Sequence, residues 1–96
     1  GGEGGGIGIA FSLAGRGSKS GFPEPTATSS ENGSIVVEIR VDQEGNVVFA
    51  KAVWKGTTLT DTNLWRRCEQ AAKKSKFTAK PDAPELDPGT ITYIFR

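Results

Sequence analysis

The chain has 96 residues, 35% of them hydrophobic, with 12 Lys plus Arg against 11 Asp plus Glu for a net charge of +1. That is enough for one modest two-layer core; it excludes a multi-domain enzyme and supplies no overall field toward nucleic acid or an anionic membrane. With no histidine and one cysteine, Cys68, there is neither an imidazole base nor the means for an internal disulfide or a multi-cysteine metal site.

No apolar run approaches the roughly 20 residues that cross a bilayer as a helix, and the first residues lack the basic start and apolar core of a signal peptide. Residues 1–6, five glycines and Glu3, have nothing to bury and read as flexible linker. No strand precedes these glycines, so they do not form a phosphate-binding turn. Residues 7–96 read as one domain.

Ile7, Ile9, Phe11 and Leu13 alternate with Gly8, Ala10, Ser12 and Ala14, the period of a half-buried strand, which Gly15–Gly17 ends. Residues 18–33 are rich in Ser, Thr, Gly and Pro. Pro23 and Pro25 push their predecessors away from helix, so this stretch reads as a long connection lying across the domain.

A hairpin follows. Ile35, Val37, Ile39 and Val41 alternate with Val36, Glu38, Arg40 and Asp42, giving one apolar and one mostly charged face. Asp42–Asn46 supplies the turn, with Gly45 able to take positive φ, and residues 47–54 return. In that return, Val47 and Phe49 compete with Val48, Ala50 and Ala52 for the core. The second set is expected inward, unless a bulge near Phe49 lets both contribute. Trp54, at the strand's end, is expected to be exposed and is the candidate aromatic contact for a partner.

Thr60 or Asp61 can cap a helix running to about Ser75. Leu64, Trp65, Cys68, Ala71 and Ala72 share one stripe, whereas Arg66, Arg67, Lys73 and Lys74 lie away from it. Lysines at the helix end complement its dipole and need no ligand to explain them. Cys68 reads as a small buried hydrophobe. Prolines 81, 84 and 88 then hold the chain extended until Thr90-Ile91-Thr92-Tyr93-Ile94-Phe95-Arg96, a β-branched and aromatic run.

The pattern therefore predicts an α+β fold, a three- or four-stranded, mainly antiparallel sheet with a helix on one face. A helical crossover places the last strand beside the first hairpin strand, antiparallel to it. There it is expected at the sheet edge, with Ile91, Tyr93 and Phe95 toward the core and its backbone free to pair with another chain. The strand at 7–14 could cover either edge; paired with residues 90–96 it would cap this docking edge. Nothing in the chain supplies a catalytic cluster, a metal site or a cofactor site, so the expectation is a binding module and not an enzyme. Nucleic-acid binding through Arg66 and Arg67 is disfavoured by the near-neutral charge.

The order of short motifs carries a resemblance. Gly33-Ser34-Ile35-Val36-Val37-Glu38-Ile39-Arg40-Val41-Asp42, Gly45-Asn46-Val47, Gly56-Thr57-Thr58 with Asp61 and Leu64, Ala71-Ala72-Lys73 with Lys76-Phe77, and Gly89 to Phe95 together resemble the C-terminal domain of TonB energy transducers. The flavour is that of Bacteroidetes sequences, including Phe11-Ser12-Leu13-Ala14-Gly15-Arg16, and the match spans residues 7–96. The chain departs from the pattern after Phe22-Pro23, where Glu24-Pro25 and a Ser/Thr-rich stretch replace a helical segment. The resemblance implies a periplasmic domain of an inner-membrane-anchored protein. It would grip the TonB box of outer-membrane transporters by strand addition at Thr90–Arg96 and pass on work from an inner-membrane proton-channel complex, coupling proton motive force to nutrient uptake. A homodimer by edge pairing, a TolA-like envelope-integrity domain, and a structural or sensory periplasmic domain with a capped edge are the alternatives.

Overall fold

Strict alternation over Ile35–Val41 makes a strand with one dry face, and the rest of the fold assembles on that face. In the computed structural model, which describes residues 7–25 and 32–96, the elements are β1 (Ile7–Ser12), β2 (Gly33–Val41), β3 (Val47–Val53), α1 (Thr62–Lys73) and β4 (Asp87–Phe95). The linker expected at residues 1–6, and residues 26–31 of the long connection, lie outside the described residues. The fold is the α+β one expected: a four-stranded antiparallel sheet, in the order β1-β4-β2-β3, with one helix packed against it.

Ile35, Val37, Ile39 and Val41 are wholly buried on the helix side, while Val36, Glu38 and Arg40 are half-buried on the other. The turn into β3 is tied by Asp42, whose carboxylate accepts from the Asn46 amide at 2.7 Å. That bond is the main reason the Asp42 pKa lies below the usual carboxylate value. Gly45 has φ +98 and donates to the Asp42 carbonyl at 3.1 Å.

The register of β3 needs one correction. Arg40 pairs with Phe49 and Val41 with Val47, so Val48 is an extra residue, a bulge, and it is 44% exposed and not inward. Ala50 and Ala52 do face the core, and the bulge adds Val47 to them. The physical reason is the turn: Asp42 and Asn46 bond to each other, the Asp42 amide donating to the Asn46 carbonyl at 2.9 Å, which sets Val47 opposite Val41 and leaves Val48 as the residue the strand must absorb.

Asp61 caps α1, accepting from the Asn63 and Leu64 amides at 3.0 and 3.3 Å. The helix buries Leu64, Cys68, Ala71 and Ala72, small side chains that let it lie close to β2 and β3. Trp65 is half-buried and donates its indole N–H to the Leu59 carbonyl at 2.7 Å. After the helix, fully buried Phe77 donates its amide to the Gly45 carbonyl at 2.9 Å, stitching the connection to the hairpin turn.

The last strand is not an edge. β4 pairs with β2 along its whole length, Gly33↔Phe95 to Val41↔Asp87, and with β1 on its other side, Ile7↔Phe95 to Ser12↔Thr90. An edge was expected for the last strand; the alternating segment at residues 7–12, which could cover either edge, takes this one and rests Ile7 and Ile9 on the core.

Candidate functional site

The expected docking residues lie on one strand but on two faces. Ile91, Tyr93 and Phe95 point toward the helix side, with exposures of 0%, 0% and 6%. Thr90, Thr92 and Ile94 are half-buried on the opposite, open face. Arg96 is exposed and lies against Gly8; a Cβ on Gly8 would stand 3.1 Å from Nη2 of Arg96. The structure therefore brings Thr90–Arg96 together along a line that β1 occupies.

Trp54 does not join them. It is 63% exposed, as expected, but it follows β3, which β2 separates from β4. There it meets Trp65 edge-on, ring centroids 4.5 Å apart.

The two outer edges of the sheet differ. On β3 the Ala52 amide donates to Oε2 of Glu69, a helix side chain, at 2.8 Å, Asn46 bridges to Lys76 just before the strand, and the bulge at Val48 breaks the ladder. These devices blunt an edge against further pairing. β1 is of another kind: Ile7-Gly8-Ile9-Ala10-Phe11-Ser12 has no charge and no proline. Ile7 and Ile9 pack on the core, while Phe11 meets Phe22 and Phe77 at centroid distances of 5.3 and 5.4 Å.

Past its C-terminal end β1 is anchored by enclosed side chains. Leu13 is buried, and Arg16, whose side chain is wholly enclosed, donates Nη1 to the Asp42 carbonyl at 2.7 Å and sets Nε 3.5 Å from the Asp87 carboxylate. Nε and Nη2 of Arg16 lack a well-aligned hydrogen-bond acceptor. Residues 17–19 then pair with 76–78 through Thr78 N to Gly17 O at 2.9 Å and Lys19 N to Lys76 O at 3.0 Å. From the sequence Arg16 enters only as part of the Phe11–Arg16 motif of the resemblance, with no structural role, and the three-ring cluster does not enter at all. Phe11 was placed on the apolar face of its strand by the odd-numbered series, but its ring partners lie far along the chain, and Arg16 sits between two glycines with no periodicity to mark it as enclosed.

Beneath β4, Tyr93 is buried beside Ser75 and Cys68, its hydroxyl lacking a well-aligned hydrogen bond. Burial, with Cys68 adding to it, raises the Tyr93 phenol above its ordinary value, and burial pushes the Cys68 thiol up to about 12. Both groups are neutral at physiological pH and behave as core. A shallow groove of about 330 Å³ runs between Pro23–Pro25 and α1, with Glu24, Arg67 and Lys74 along it. Among the described residues, no three His, Cys, Asp or Glu side chains could hold a metal ion, and no helix is long and apolar enough to cross a membrane.

No protein-family model, no curated protein and no solved structure matches this chain.

Proposed function

We propose that this is a peptide-docking domain of the cell envelope, which receives an extended segment along β4 in the manner of the TonB C-terminal domains its sequence resembles. In this reading the segment is the N-terminal TonB box of an outer-membrane transporter, the domain lies in the periplasm, and it draws work from an inner-membrane proton-channel complex through a part of the protein outside residues 1–96. The supporting observation is that β4 already accepts an added strand. β1 joins it through backbone pairing and three half-buried residues, followed by three exposed ones. Strand addition takes affinity from main-chain hydrogen bonds and selectivity from alternate side chains. It requires no catalytic cluster. A client segment binds β4 by taking the place of β1.

A cross-strand lock tests this. Ala10 and Thr92 are directly opposite, so Ala10→Cys with Thr92→Cys places two thiols at a separation a disulfide can span. In the reduced protein, transporter N-terminal peptides are expected to shift the amides of Thr90–Phe95; after oxidation the shifts vanish, and reduction restores them. Equal binding by the oxidised form would move docking away from β4. The buried Arg16 anchor favours a second reading, a structural or sensory domain whose edge stays capped. It predicts binding by neither form.

A further inference from the structure

We infer that β1 is a built-in stand-in for the incoming peptide, so that Ile7–Ser12 spells out the class of ligand the β4 edge accepts. The inference rests on the docking reading above and adds to it the ligand's chemistry, direction and route of entry.

The chemistry follows from what each β1 side chain meets. Ile7, Ile9 and Phe11 stand opposite Phe95, Tyr93 and Ile91; Ile7 and Ile9 pack on the core, and Phe11, 37% exposed, lies at its margin against two other rings. A strand that replaces β1 must cover those three residues with apolar side chains at alternate positions, or leave their apolar surface in water. The third position is the most exposed of the three and selects by shape. Phe11 closes a triangle with Phe22 and Phe77, whose own rings are 5.7 Å apart, so an aromatic ring fits there edge-on and a small side chain leaves a gap. The intervening positions ask for less. Gly8 lies under the Arg96 guanidinium, which a larger side chain must push aside, and Ala10 and Ser12 are exposed. The ligand class is thus an extended, uncharged segment with two aliphatic residues and then an aromatic one at every second position, a small residue following the first of them.

Direction and entry follow from register and anchoring. β1 runs antiparallel to β4, so a peptide that reproduces its contacts runs the same way, N-terminal end at Phe95 and aromatic residue at Ile91. The far end of β1 is held by Leu13, Arg16 and the pairing of residues 17–19 with 76–78. The strand therefore peels from Ile7, and the incoming chain pairs first with Phe95, then with Tyr93, and reaches Ile91 last.

The test uses the full 96-residue chain carrying Ile9→Ala, which loosens β1 without touching β4. The isotope-labelled protein is titrated with a lysine-tailed peptide of sequence Ile-Gly-Ile-Ala-Phe-Ser. Companion peptides carry Ala for the Phe, carry Lys for the second Ile, or have the order reversed. The expected result is amide shifts at Thr90–Phe95 with the first peptide and at least tenfold weaker binding of the other three. A spin label on the peptide's C-terminal end should broaden Thr90 and not Phe95. Equal binding of all four peptides, or broadening at Phe95, overturns the inference. If the β1 peptide leaves β4 unmoved while transporter peptides shift it, the inference fails and the docking reading stands; if no peptide shifts β4, both fail. Should Ile9→Ala lose the native spectrum, Ala10→Gly, at an exposed position, replaces it.

Discussion

At the scale of single residues, the groups that matter most are those the core encloses without fully satisfying. The Arg16 guanidinium has one good hydrogen bond and one carboxylate neighbour, Asp87, whose side chain is 15% exposed. Removing one partner of a buried pair leaves the other charge uncompensated, at a cost of about 3 to 5 kcal/mol. Because the guanidinium is the more enclosed of the two, Asp87→Asn should destabilise by about 3 kcal/mol in urea titration, although it changes only one atom. A loss below about 1 kcal/mol would mean that the pair is solvated. Cys68 gives a second prediction, read in alkali. Its thiol has a reference value of 9.0 and sits at about 12 in the fold, so the folded state favours the protonated form. The stabilisation is complete below 9 and is lost as pH rises through the interval to 12, with a slope of at most about 1.4 kcal/mol per pH unit. Cys68→Ala should flatten the fall in urea midpoint between pH 9 and 11 relative to the unsubstituted chain. Parallel curves for the two proteins would take Cys68 out of the alkaline loss and leave it to the buried Tyr93 phenol.

At the scale of elements, the hairpin turn carries more of the fold than its length suggests. Gly45 has φ +98, and a Cβ there would lie 2.0 Å from the Phe77 carbonyl, which belongs to the connection after α1. Gly45→Ala therefore strains the turn and pushes the α1–β4 connection off it. The expected cost is at least about 2 kcal/mol, with lost protection of the Phe77 amide in hydrogen exchange. An unchanged midpoint would show that the connection yields freely. The same elements mark what the sequence made legible. β2 was readable because four core residues alternate with polar ones and no other register buries them, and the cap at Asp61 and the stripe of α1 were readable because both are local patterns. The bulge at Val48 was not, since Val47 and Val48 are the same side chain and the choice between them depends on where the Asp42–Asn46 turn closes. Nor was the place of β1, because a long connection separates it from β2 and both edges of the sheet could accept its alternation. The Thr90–Phe95 run is legible as a strand from its β-branched and aromatic residues, and its alternation turns Ile91, Tyr93 and Phe95 inward. Its neighbour on the far side was left open because that contact joins opposite ends of the chain.

At the scale of the whole molecule, the sheet is uneven in how firmly its strands are held. β2 and β4 have neighbours on both sides, and β3 is fastened by α1 through Glu69 and by the Lys76 bridge. β1 has β4 on one side only; its own apolar residues are half-buried or exposed, and the enclosed side chains that hold it lie beyond its C-terminal end. Local opening should follow that order, because a segment with few buried contacts and a free edge opens at a fraction of the global free energy. Native-state hydrogen exchange should therefore find the β4-paired amides of β1 at least tenfold less protected than those of β2, with Ile7–Ile9 exchanging ahead of residues nearer Leu13. The denaturant dependence separates the processes further: opening of β1 exposes little surface and should show a shallow slope, whereas the β2 amides should follow the full slope of unfolding. Asp87→Asn loosens the anchor at Arg16 and should erase the gradient along β1 while leaving the β2 slope unchanged. Equal protection and equal slopes for β1 and β2 would mean that the four strands unfold as one unit, and no peptide could then exchange with β1 short of global unfolding.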